Sequence, residues 1–253
     1  MRWTIRVLKE NGVKPSKKLS QNFVINPFLI KNMVDSVSFE DTVEIGCGIG
    51  TLTFFLLQKV KTLVCIEFDE RMAKIVSKNI GDPRFILARG DILTMGLNRP
   101  QVVSNLPYHI TSDVLILIAR DNGVNKAVLT LQKEVGDRLV APPGSESYGR
   151  LSIIIQLLFD IDLKGVYSSR SFYPEPKVAS SIVVLKRKRN YDENIQKVEN
   201  VTRVMFSQRR RNARKVAETR LKIKPEVLEK IIPNGKRVFE LEPEVFERLS
   251  AEL

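Results

Sequence analysis

The sequence predicts an α/β protein with a doubly wound sheet and a small helical domain at its C-terminal end. Three observations predict it. Short apolar segments alternate with helical patterns between residues 42 and 132. The first of these segments runs into a glycine turn, Gly46-Cys47-Gly48-Ile49-Gly50. From Lys186 onward the composition turns basic and the strand pattern stops. A chain of 253 residues, 43% of them apolar, has room for one large domain with a real core and a small appendage.

Strands are predicted over 42–46, 62–67, 84–88, 101–105 and 127–132, and helices over 52–60, 70–79 and 111–119. The strands are short and apolar, as in a parallel sheet covered on both faces. Repeated strand–helix units imply right-handed crossovers. Ahead of them, Asn26-Pro27 marks a helix start, with Asn26 as N-cap and Pro27 in the first turn. A buried helix over 151–159 and a closing strand over 178–185 follow, with a Pro-stiffened loop around Phe172 between them. By composition alone Phe172 reads as a core aromatic. In the last part, a helix carries Ile195, Val198, Val201, Val204 and Met205, and Pro225 and Pro243 each open another. The domains are therefore expected at 1–186, with a basic N-terminal arm, and at 187–253.

Charge is distributed in blocks. Residues 1–18 hold six basic side chains against one acidic, and residues 186–224 hold fourteen against four. Residues 19–185 are balanced and the last 29 are mildly acidic, giving +12 in all. Two basic blocks flanking a neutral body read as a footprint for nucleic-acid phosphates, including three adjacent guanidinium groups at Arg209, Arg210 and Arg211. No apolar run is long enough to cross a membrane, and the charged N-terminus lacks a secretory pattern, so a cytoplasmic protein is expected. Cys47 and Cys65, without C-x-x-C spacing, are expected as buried reduced thiols. No metal is expected.

In a doubly wound sheet, ligands bind beyond the carboxyl ends of the strands, so the residues ending each strand decide the chemistry. The glycine turn alone suits a methyl donor, a dinucleotide or a plain tight turn. Thr51 stands where the third Gly of a dinucleotide fingerprint would fall, which disfavours an oxidoreductase. The second strand ends at Glu67, a carboxylate able to accept two hydrogen bonds from a ribose diol. The third runs into Gly90-Asp91-Ile92, where Asp91 can accept from an adenine amine. The fourth ends in Asn105-Leu106-Pro107-Tyr108. That motif suits methylation of a planar amine, whose lone pair is delocalised into its ring. The Asn105 oxygen and a backbone carbonyl beside Pro107 can accept from the amine, and Tyr108 offers a stacking face. Catalysis is then positioning plus dipoles, without a strong base. His109, the single histidine, is expected to be structural or to touch RNA.

These motifs, with Lys18-Leu19-Ser20-Gln21-Asn22-Phe23, Leu131-Gln132-Lys133-Glu134-Val135, Tyr148-Gly149-Arg150-Leu151-Ser152, Phe172-x-Pro174-x-Pro176-Lys177-Val178 and Phe206-x-x-Arg209-Arg210, span nearly the whole chain. In them the chain resembles the ribosomal RNA adenine N6,N6-dimethyltransferases of the KsgA type, relatives of the Erm methyltransferases. The resemblance implies a Rossmann-like S-adenosylmethionine-dependent methyltransferase sheet with a small C-terminal helical domain. It implies that S-adenosyl-L-methionine is held by Asn22, Val24, Gly46, Glu67, Asp91 and Asn105. The catalytic residues would be Asn105, Pro107, Tyr108 and Phe172, with Tyr108 and Phe172 sandwiching the target adenine. The partner would be small-subunit rRNA in a subunit not yet mature, met by a monomer. Ser20 replaces the family's usual Gly, Cys47 its usual Pro and Val24 its usual Leu, and none of these removes a polar ligand. The rival readings are an Erm-type enzyme acting on large-subunit RNA and a ribosome-assembly factor with a vestigial site.

Overall fold

A computed structural model describes residues 2–253 and divides the chain into two compact units. The first comprises everything up to Gly136 together with Ile161–Arg187, and the second comprises Asp137–Asp160 with Lys188–Leu253. Segment 137–160, expected in the catalytic domain, thus belongs to the helical unit.

The first unit opens with helix α1 (Arg2–Glu10), followed by the short strand β1 (Phe23–Val24) and helix α2 (Pro27–Asp35). Then come β2 (Asp41–Ile45), α3 (Thr51–Leu56), β3 (Thr62–Glu67), α4 (Glu70–Asn79), β4 (Phe85–Arg89), α5 (Ile92–Met95), β5 (Gln101–Asn105), α6 (Thr111–Arg120), β6 (Lys126–Gln132) and α7 (Lys133–Leu139). Helix α8 (Arg150–Leu158) precedes β7 (Phe159–Tyr167), β8 (Phe172–Tyr173) and β9 (Ser180–Arg187).

Seven strands form the main sheet in the order β4-β3-β2-β5-β6-β9-β7. The pairs β2–β3, β3–β4, β2–β5 and β5–β6 are parallel, and β9 runs antiparallel to β6. From β2 the chain builds outward to β3 and β4, then returns to β5 on the other side. The switch point lies between β2 and β5, where such sheets bind ligands. Within β5 and β6 nearly every residue is buried, as their apolar runs require. The core between α2, α3 and the sheet gathers Leu29, Met33, Leu56, Leu63, Val103 and Val128.

Local signals place the helices. Asn26 Oδ1 accepts from the Phe28 and Leu29 N–H groups at 2.9 and 3.4 Å, with Pro27 at the first turn. Asp69 and Asp91 cap α4 and α5 in the same way.

The expected basic arm is instead partly a docked helix. In α1, Thr4, Val7 and Leu8 recur at helical spacing and are buried, with Val7 and Leu8 packed with Phe23, Ile49, Met72 and Ile75. Strand β7 had no counterpart in the expectation, although Phe159, Ile161, Leu163 and Tyr167 alternate with polar residues.

The second unit holds α8 and four later helices, α9 (Glu193–Phe206), α10 (Ala213–Val216), α11 (Pro225–Ile231) and α12 (Pro243–Ser250). Pro225 and Pro243 stand at the first turns of α11 and α12, as expected. Segment 137–160 joins this unit because Tyr148 is buried there. Its hydroxyl donates to the Leu241 carbonyl at 2.9 Å, and its ring lies 6.2 Å from that of Phe206, itself 5.9 Å from Phe246. Arg209 is used internally too. It donates to the Glu146 and Tyr148 carbonyls at 2.9 and 3.2 Å and lies over the Phe239 ring. Of that triplet Arg210 and Arg211 are exposed, while Arg209 is half-buried.

Cys47 and Cys65 are joined in a disulfide, with Cα atoms 6.0 Å apart, in place of the expected free thiols. The crossover from β2 to β3 brings together two residues that their spacing of 18 gave no reason to pair. Among the described residues, no helix is long and apolar enough to cross a membrane.

Candidate active site

A cavity of about 530 Å³ opens at the carboxyl ends of β2, β3, β4 and β5. Its size falls in the usual range for small-molecule sites, roughly 300–1,000 Å³. Asn22, Val24, Gly46, Glu67, Asp91, Asn105 and Pro107 all line it, although 85 positions separate the first from the last. Tyr108 and Phe172 do not line it.

The glycine turn forms one wall. Gly46 and Gly48 have φ of +71° and +56°, a region that L side chains seldom occupy. A Cβ on Gly48 would also meet the Phe23 ring at 2.8 Å. The Gly46 N–H donates to the Ile66 carbonyl at 2.9 Å, and the Gly48 N–H to Glu67 Oε2 at 2.8 Å. Both bonds hold the turn against β3.

Glu67 is buried, and its Oε1 accepts from the Asp69 N–H at 2.8 Å. Burial raises its carboxyl above the ordinary range, opposed by the backbone N–H groups that it accepts. Each oxygen keeps a second lone pair for a diol. Asp91 uses Oδ1 to accept from the Leu93 N–H at 2.9 Å, leaving Oδ2 without a partner among the described residues. Phe68, largely exposed, and buried Ile92 supply apolar surface between these two carboxylates.

The segment around Asn22 is fixed by Gln21, whose side chain is bonded at both ends. Gln21 accepts from the Ser16 N–H at 2.8 Å and donates to Asp69 Oδ2 at 2.9 Å. Asp69, which caps α4 and binds Arg71, therefore also anchors the loop over the cavity. Its signal in the sequence is an N-cap two residues beyond a strand end. Ser20 has φ +48°, in the left-handed region that favours glycine. A side chain in that conformation costs about 1–2 kcal/mol.

Glu44, within β2, also lines the cavity and carries no signal of a role in its local pattern. It is 2% exposed and accepts from the Thr53 hydroxyl at 2.7 Å. Burial pushes its carboxyl up from 4.5 to about 8, against the Thr53 bond and reinforced by the Glu67 charge. At neutral pH it therefore holds a proton. A raised acid stabilises the fold while protonated. That contribution is complete below pH 4.5 and is lost as the pH climbs through about 8. Glu44→Gln should remove a slope of up to ~1.4 kcal/mol per pH unit across this window. Denaturant unfolding of both proteins from pH 4.5 to 9 checks it, and parallel stability profiles would show that Glu44 does not titrate there.

Asn105 stands at the end of β5, and its Nδ2 donates to the Asn22 carbonyl at 2.7 Å. This bond fixes the amide and leaves Oδ1 as an acceptor without a partner among the described residues. The Pro107 carbonyl already accepts from the Ile110 N–H and the Thr111 hydroxyl, at 3.2 and 3.3 Å. The Leu106 carbonyl, just before Pro107, accepts from no group among the described residues. Tyr108 is half-buried, with its hydroxyl 2.7 Å from Ser180 Oγ. His109 is exposed on the rim.

Phe172, expected to stack on the target base, lies in the core. It is 1% exposed and packed with Val24, Leu29 and Ile30 in the core, while β8 pairs antiparallel with β1. Burying that ring is worth about 1.5–3 kcal/mol, so the fold keeps it from water.

The family described as "Ribosomal RNA adenine dimethylase" matches residues 12–252. A "Probable ribosomal RNA small subunit methyltransferase A" of Thermococcus sibiricus is 33% identical over 250 residues, spanning 93% of this chain and 90% of its own. The "Ribosomal RNA small subunit methyltransferase A" of Mycoplasmopsis synoviae is 38% identical over 204 residues, spanning 77% and 79%. Among solved structures, a dimethyladenosine transferase from Plasmodium falciparum aligns with a TM-score of 0.78 at 26% identity, covering 90% of this chain and 95% of that one. The 23S rRNA methyltransferase ErmE shares the fold, with a TM-score of 0.71 at 24% identity over 92% and 99% of the two chains.

Proposed function

The chain belongs to the ribosomal RNA adenine dimethylase family, and on that premise we propose that it methylates the exocyclic amines of two adjacent adenosines near the 3′ end of small-subunit rRNA. The product is N6,N6-dimethyladenosine and the donor is S-adenosyl-L-methionine. It acts as a cytoplasmic monomer on a small subunit that is still maturing. The observation that carries this reading is the pair of open acceptors, Asn105 Oδ1 and the Leu106 carbonyl, at the end of β5 beside the cavity.

The lining fits the donor's chemistry. Glu67 would accept from the ribose diol and Asp91 Oδ2 from the adenine amine, with Phe68 and Ile92 along the ring. Gly46, Asn22 and Val24 would hold the methionine end. When bound, the donor supplies an electrophilic methyl group on a sulfonium.

The protein's own work is on the acceptor side. The two acceptors take the two N–H bonds of the target amine, turning its lone pair out of conjugation and toward the cavity. Pro107 has no N–H to compete for them and stiffens the turn. Once the nitrogen has become positive its proton is acidic and passes to water, so no general base is required. After the first transfer one N–H remains, and a single acceptor suffices for the second. Tyr108 is the accessible stacking face, steadied by Ser180. A base must leave any helical stack to reach it.

Incubation with labelled S-adenosylmethionine and small subunits lacking the modification tests this. Label should enter the RNA, and reverse transcription should stop at two adjacent adenosines near its 3′ end, because dimethylation blocks the pairing edge. A parallel incubation with large-subunit RNA tests the rival: label and stops there, with none in the small subunit, would assign an Erm-type activity. Tight subunit binding without label would assign a non-catalytic assembly factor.

A further inference from the structure

The disulfide joins the wall of the cavity to the strand that carries Glu67. Three consecutive residues of the glycine turn are tied to three consecutive residues of β3. Gly46 is hydrogen-bonded to Ile66, Cys47 is bonded covalently to Cys65, and Gly48 is hydrogen-bonded to Glu67. The covalent tie lies between the other two. Around it Gly46, Gly48 and Gly50 all have positive φ, and glycine loses more conformational freedom on ordering than any other residue. Without the bond, two hydrogen bonds would tie this segment to β3. One of them ends on the carboxylate placed to receive the donor's ribose.

Access to the bond is one-sided. Cys65 is fully buried, while Cys47 is 6% exposed and lines the cavity. The two side chains pack with Val76 in an apolar cluster, and of the pair only Cys47 belongs to a residue that borders the cavity.

We propose that the Cys47–Cys65 bond positions the turn for the methyl donor, so that donor binding and reduction of the bond oppose each other. The proposal rests on the donor-site reading above. In the reductive step, one thiolate of a dithiol attacks Cys47 Sγ. The Cys47–Cys65 bond breaks, and Cys65 leaves as a thiolate that takes up a proton. The second thiol of the reductant then closes on the mixed disulfide, freeing Cys47 and releasing a cyclic disulfide. Two electrons pass to the protein. A ligand that fills the cavity shields Cys47, and a reduced turn binds that ligand less tightly, the same coupling seen from both sides.

Two measurements test it. In the first, calorimetry compares S-adenosylhomocysteine binding to the oxidised wild type, to Cys47→Ala/Cys65→Ala and to Cys47→Pro/Cys65→Ala. Loss of pre-organisation should weaken binding about tenfold in the double alanine variant. Proline at 47 should recover most of that loss, since it fixes φ and the Cys47 N–H donates to no group among the described residues. In the second, thiols released by dithiothreitol are counted in the folded wild type, with and without saturating S-adenosylhomocysteine. The ligand should slow their release about tenfold. Because this measurement needs no variant, it stands even if a variant fails to fold. Equal affinity in the oxidised wild type and the folded double alanine variant, or a release rate indifferent to ligand, would overturn the proposal while leaving the donor site intact. A wild type that binds no S-adenosylhomocysteine would overturn the donor reading and this proposal with it.

Discussion

Asn105→Ala should lower methyl transfer at least about 10³-fold, the upper range for removing one group that stabilises a transition state. The variant loses Oδ1, one of two acceptors able to turn the amine's lone pair toward the donor. It also loses the Nδ2 bond to the Asn22 carbonyl, which fixes the amide in its present orientation. The Leu106 carbonyl remains but cannot orient the amine alone. Because Asn105 belongs to the cavity and the basic residues Arg210 and Arg211 lie elsewhere in the chain, affinity for small subunits should change less than threefold, under ~0.7 kcal/mol. Single-turnover methylation with saturating donor, paired with a filter-binding assay on small subunits, separates the two effects. Parallel loss of binding and turnover would make Asn105 a structural residue. Asn105→Asp is a sharper companion: it keeps an oxygen in place but sets a carboxylate against the Asn22 carbonyl. It too should be inactive if the amide's donor side is needed.

Replacing Glu67 with Gln should weaken donor binding by roughly 10- to 100-fold, the value of a hydrogen bond to a charged group, about 1.5–3 kcal/mol. The carboxylate accepts from two backbone N–H groups, those of Gly48 and Asp69. An amide offers one oxygen for this pair and turns its own N–H₂ toward the other donor. The substitution therefore loosens the glycine turn and removes an acceptor for the ribose diol together. Calorimetry with S-adenosylhomocysteine measures the loss directly, and turnover at saturating donor should fall much less than affinity. Unchanged affinity would remove Glu67 from the donor site. Burial raises the Glu67 carboxyl, so donor affinity in the wild type should also decline on acidification, as that carboxylate takes up its proton.

The sequence alone points to several of the residues that line the cavity. Short apolar runs bounded by turn residues specified β2 to β6 nearly to the residue; apart from the edge strand β4 these strands are buried on both faces, where little else is tolerated. Their ends carried Gly46, Glu67, Asp91 and Asn105, and a parallel sheet must bring such ends to one edge. Asn26, Pro225 and Pro243 announced their helices because caps and first turns are local chemistry. Other features were not local. Helix α1 looked like a charged arm because its buried side chains are outnumbered by polar ones, and only its docking beside Phe23, Ile49 and Met72 shows its inward face. Arg209 read as a phosphate ligand because a guanidinium's partners are invisible in a sequence. Here they are backbone carbonyls more than sixty residues away.

By itself the sequence determined the order of the strands along the chain, the glycine turn, the polar residues at the strand ends and the motif at 105–108. All of these follow from local composition and from the period of the pattern. The tertiary structure decided what those residues do to one another. It gave Asn105 a fixed amide by placing the Asn22 carbonyl 2.7 Å away, and it chose Leu106 over Pro107 as the free carbonyl. It also withdrew Phe172 into the core, buried Glu44 as a neutral acid and joined Cys47 to Cys65. Each of these depends on groups distant in sequence meeting in a medium from which water is excluded, where burial and pairing set conformation and charge.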